Sequence, residues 1–127
     1  MQDSLSRQGF EVATPENAAT ADATLTVSLN QVGWVCDGLL MDGECHPRIN
    51  AKTVLTINKT GKRRFNEICN YGIESFILAC SSDPPQPVTI SALGTLLSDP
   101  ANANQGLREG LKRLSDYIAS EIKDAAD

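Results

Sequence analysis

Four cysteines, Cys36, Cys45, Cys69 and Cys80, constrain this chain more than any other feature. No two of them have the CxxC or CxxH spacing that zinc ligation or dithiol chemistry uses, so the even count reads as two disulfides. Disulfides persist in oxidising compartments, and the chain is therefore expected outside the cytoplasm. Among the connectivities open to four cysteines, the local one, Cys36 with Cys45 and Cys69 with Cys80, is expected because each pair is close in sequence. The phase of Cys69 in its own segment also leaves open a bridge to Cys36.

At 127 residues with 41% hydrophobic content, the chain fits one domain, residues 1–127, with a core of ordinary size. A net charge of −5 supplies no basic surface for phosphate, so nucleic acid is not an expected partner. No apolar run is long enough to span a bilayer. The first residues lack a basic segment followed by an apolar one, so an exported chain requires a signal upstream of Met1, cut away.

Hydrophobic spacing predicts the elements. Asp3 to Gln8 reads as the last turns of a helix, with Gly9 as the residue of positive φ that ends it and Phe10 as the apolar contact beyond. Leu25, Val27 and Leu29 alternate with Thr24, Thr26 and Ser28, which predicts a strand with one buried face. The apolar phase then moves to Val32 and Trp34, and a β-bulge at Gly33 would reconcile the halves. Asp37 to Pro47 reads as a loop. A second strand is expected over about Arg48 to Asn58, a turn over Lys59 to Lys62, and a third strand carrying Phe65, Cys69, Tyr71 and Ile73, the last two strands forming a hairpin.

The prolines within Ser81 to Pro87 end regular structure, and Val88 to Leu97 is ambiguous between strand and helix. Asp99 can cap and Pro100 can open a long helix whose apolar stripe is Leu107, Leu111, Leu114, Ile118 and Ile122. Its opposite face, including Arg108, Glu109, Lys112, Arg113 and Asp116, reads as a solvated surface. The fold expected is α+β: an antiparallel sheet of at least three strands packed against a long C-terminal helix and an N-terminal helix.

No catalytic constellation emerges. His46 is the only histidine and has no nucleophile motif beside it. Cysteines with His46 match no common zinc spacing, and Asp37, Asp42 and Glu44 lack the pattern of a calcium loop. No catalytic residue, metal or cofactor is therefore expected. Trp34, Leu39, Leu40 and Met41 are more suggestive: the last three lie in the loop bounded by Cys36 and Cys45, where apolar residues either fold back, here onto Trp34 as a satellite core, or are presented to a partner. Asn58-Lys59-Thr60 is formally a glycosylation acceptor in the hairpin turn.

A series of local patterns resembles the YajG family of bacterial outer-membrane lipoproteins. Leu5-Ser6-Arg7-Gln8-Gly9-Phe10-Glu11-Val12 is similar to the family's helix end, and Thr26-Val27-Ser28 to its next strand. Ile49-Asn50-Ala51-Lys52 through Gly61 resembles its hairpin, Asn70-Tyr71-Gly72-Ile73-Glu74 its third strand, and Leu107 to Ile122 its closing helix. The four cysteines and an insertion over about residues 78–97 depart from that pattern. The resemblance implies a lipidated cysteine upstream and a domain on the periplasmic side of the outer membrane, of no established activity and with no functional residues to carry over.

The expected function is that of a non-enzymatic envelope lipoprotein domain that binds another envelope protein or a peptidoglycan-associated component, through an exposed sheet edge or the disulfide-bounded loop. Membrane contact would come only through the upstream anchor. One alternative is a structural subunit of a secretion, pilus or flagellar assembly that self-associates. Another is a small hydrolase or metal-dependent enzyme working through His46.

Overall fold

The computed structural model describes residues 1–36, 38, 43–72, 80–82 and 97–126. Strands β1 (Ala23–Cys36), β2 (Cys45–Ile57), β3 (Lys62–Tyr71) and β4 (Cys80–Ser82) form one sheet in the order β1-β2-β3-β4. The first three are antiparallel as the alternation predicts, whereas β4 runs parallel to β3. Helix α1 (Gln2–Arg7) and the long helix α2 (Pro100–Ala126) complete the α+β fold.

The odd-numbered positions of β2 from Cys45 to Leu55 are all buried, and they set the inner face of the sheet. Cross-strand partners share a face, so Leu25, Val27 and Leu29 join Leu55, Thr53 and Ala51 there, and Phe65, Cys69 and Tyr71 join from β3. Helix α2 lays Leu114, Ile118 and Ile122 on this face. Burying each such side chain contributes about 1.5–3 kcal/mol. Towards its start α2 buries Gly106 and Gly110 instead of the expected Leu107 and Leu111, which are half-buried. A Cβ at Gly110 would lie 3.1 Å from both Ile49 Cδ1 and Tyr71 Cε1, so the missing side chain brings the helix down onto the sheet.

The caps form as the residues predict. Asp99 accepts a hydrogen bond from the Asn102 backbone N–H at 3.1 Å, with Pro100 in the first helical position. Gly9 has φ of +90°, its N–H reaches Ser6 O at 3.0 Å, and Phe10 N–H reaches Leu5 O at 3.1 Å. That is the Schellman arrangement, and Phe10 and Leu5 both pack against the core.

Three boundaries differ from the pattern reading. The bulge falls between Leu29 and Gln31, at Asn30, while Gly33 pairs in register with Arg48. The phase change is taken up directly after Leu29, where the extra residue can donate its side-chain amide to Asn50 at 3.1 Å. Residues 45–47 belong to β2 and not to a loop, so His46 lies in a strand opposite Val35. Pro47 is tolerated because β2 pairs with β3 only from Ile49 onward, beyond the point where a donor would be missed. Ser81 and Ser82 continue the strand from Cys80 instead of beginning the break. Val88 to Leu96, the proline-rich residues 83–87 and most of the 78–97 insertion lie outside the described residues.

Candidate functional site

The two bridges close locally: Cys36 with Cys45 and Cys69 with Cys80. Each joins residues directly opposite one another on neighbouring strands, β1 to β2 and β3 to β4. Cys69 therefore never approaches Cys36. The second bridge is part of the main core, and Cys45 is the centre of a smaller cluster against which Trp34, Cys36 and Ala103 pack.

Of the candidate contact residues, Trp34 is described, and Leu39, Leu40 and Met41 lie outside the described residues. Trp34 is half-buried against Cys45, and its indole Nε1 is buried with no hydrogen-bond partner among the described residues. Asn58 is committed to structure: it accepts from Thr24 Oγ1 and donates through Nδ2 to Ala21 O, each at 2.8 Å. A glycan on Nδ2 would displace the clamp that ties the hairpin turn to the start of β1. Among the described residues no three His, Cys, Asp or Glu side chains come together as a metal-binding group.

The feature that the pattern reading did not single out is the flank of β1. The main contacts of α2 are with β2, β3 and β4, so β1 lies at the margin of its footprint and at one edge of the sheet. Two large apolar residues of its inner face are left open, Leu29 at 56% and Val32 at 44% exposure. Towards the start of β1 a crevice of about 880 Å³ has Phe10, Leu25, Val27, Leu55 and Ile122 in its walls. Ala23 to Cys36, the whole strand of 14 residues, carries no charge. Edge strands are ordinarily protected by charge, proline, brevity or a bulge, and of these β1 has only the bulge at Asn30. The uncharged run was visible in the sequence, but its position at an edge is set by the tertiary fold.

On the outer face, Asn30, Asn50 and Asn70 line up across three strands, Asn30 donating to Asn50 and Asn50 to Asn70. Asn70 is fully buried, and its Nδ2 has no partner among the described residues. Electrostatics single out a different place, where α1 meets α2. Asp116 accepts from Ser4 Oγ at 2.7 Å and from the Arg7 guanidinium. Burial, the largest influence, pushes its carboxyl up, but these hydrogen bonds and the charges of Arg7 and Lys112 outweigh it and hold the group below the ordinary aspartate value.

No protein-family profile matches the chain, and no curated protein or solved structure matches it either. No helix among the described residues is long and apolar enough to cross a membrane.

Proposed function

We propose that this chain is an exported, non-enzymatic domain of the bacterial envelope, held at the outer membrane by a lipid attached upstream and facing the periplasm, where it binds another envelope component along β1. The observation that carries the reading is the open, uncharged edge of β1 with Leu29 and Val32 exposed beside it. Strand addition at such an edge supplies main-chain hydrogen bonds, and the flanking apolar residues supply contact area. Two disulfides support an oxidising compartment.

The binding half of this reading is tested by placing a photo-crosslinking residue at Gln31 in the exported protein. Adducts with an envelope component that disappear when Leu29 and Val32 are both changed to lysine are expected. Unchanged adducts in that variant would place the contact elsewhere. The compartment is tested by intact mass with and without a thiol alkylating agent: no alkylation in the non-reduced exported protein is expected, and labelling of all four cysteines would remove the argument for export.

A further inference from the structure

We infer that the component seated on β1 is a second copy of this chain, the two β1 edges pairing antiparallel across a two-fold axis to make one continuous sheet. The inference rests on the reading of β1 as the contact surface and specifies its occupant. Three observations bear on a copy as the occupant.

The first is charge. A two-fold interface brings each patch against itself, so any charge near the axis meets its own like. In a chain of net charge −5, Ala23 to Cys36 is a long stretch on which no such repulsion arises. A strand shaped for a charged peptide would be expected to carry the opposite sign, and this one carries neither.

The second is the bulge. Residues opposite one another in antiparallel strands must face the same side. Leu25, Val27 and Leu29 face inward before Asn30, and Val32, Trp34 and Cys36 face inward after it, as their pairing with Leu55, Thr53, Ala51, Ile49, Pro47 and Cys45 requires. Setting Leu29 opposite Val32 of the partner subunit also sets Val27 opposite Trp34 of the partner subunit. Inward then meets inward along the strand, so self-pairing keeps its phase on both sides of the bulge when it is centred on the step from Asn30 to Gln31.

The third is coverage. A two-fold axis normal to the sheet leaves both copies of α2 on the same face. Leu29 and Val32 from each copy then lie together in the gap between the helices, where α2 of a single copy leaves them exposed.

Sedimentation at on the order of 100 μM detects a dimer even where the Kd is as weak as that concentration. A dimer is expected, with a photo-crosslinker at Gln31 joining two copies of the chain. The Leu29→Lys, Val32→Lys variant is expected to sediment as a monomer while keeping the parent circular dichroism, since both positions are open in one copy. Should that variant be misfolded, Ser28→Lys, at an exposed position on the same edge, serves in its place. A monomer throughout, with Gln31 captured instead by a different envelope protein, overturns self-pairing and leaves the envelope reading standing. A monomer with no capture in cells overturns both. A dimer untouched by the lysine variants and not joined through Gln31 overturns the β1 assignment.

Discussion

Ser4 of α1 donates a 2.7 Å hydrogen bond to the carboxylate of Asp116 of α2, and Ser4 is buried in doing so. The bond fixes a short helix that could not persist alone against the long one. Ser4→Ala is expected to cost about 1–3 kcal/mol in urea unfolding, because hydrogen bonds to charged groups exceed neutral ones. Arg7→Ala is expected to cost less than about 1 kcal/mol, since both members of that ion pair are substantially exposed.

The same contact predicts an acid dependence. The folded carboxyl of Asp116 lies below its unfolded value, so its contribution is fully present above the unfolded pKa of about 3.9 and is lost as pH falls through the folded value. Asp116→Asn is expected to be less stable at neutral pH and to flatten the loss of stability below pH about 4. Unfolding midpoints measured from neutral pH to about pH 2 check this, and parallel curves for parent and variant would show that Asp116 has no such role.

What the sequence disclosed about this region, and what it hid, follows from the physics of each signal. The caps at Asp99 and Gly9 were legible because they depend on residues adjacent in the chain. Strands β1 to β3 were legible from alternation. Gly106 and Gly110 were not, since glycine adds nothing to an apolar stripe, and the value of Gly110 lies in letting Ile49 and Tyr71 approach. Strand β4 was hidden because Cys-Ser-Ser has no period, and its place is set by pairing and a bridge to β3. The exposure of Leu29 and Val32 depends on where α2 lies, which no local pattern encodes.

The two disulfides are expected to differ in worth although their loops are similar. With sequence separations of 9 and 11, chain entropy alone gives each about 2.5–3 kcal/mol. Cys69 and Cys80 are both fully buried in the main core, whereas Cys36 is only half-buried at the end of β1. Replacing Cys69 and Cys80 together by serine leaves two buried hydroxyls where sulfurs packed, and is expected to destabilise more than the same change at Cys36 and Cys45. Thermal unfolding of the two double variants checks the order, and equal losses would show that loop closure is the whole effect.

Two glycines of positive φ separate backbone strain from steric conflict. Gly9→Ala meets open space and is expected to cost about 1–2 kcal/mol for the left-handed backbone alone. At Gly72, with φ of +80°, an added Cβ would stand 2.1 Å from Pro47 O. Gly72→Ala therefore has to move the end of β3 away from β2 and is expected to cost clearly more than Gly9→Ala. Comparable losses in urea unfolding would mean that the two strands separate there without penalty.

Thr53 offers a change expected to stabilise. It is fully buried on the inner face of β2 between Val27 and Glu67, and its Oγ1 has no hydrogen-bond partner among the described residues. Burying an unpaired hydroxyl costs about 1–3 kcal/mol, so a side chain of the same branched shape without the oxygen removes a cost while keeping the packing. Thr53→Val preserves strand preference as well, because both residues are β-branched. A gain of about 1 kcal/mol is expected, read as a higher urea midpoint at unchanged m-value. A loss of stability would mean that the hydroxyl is hydrogen-bonded in solution, and would point to a water or a side chain reaching Thr53 from the side of the sheet that α2 covers.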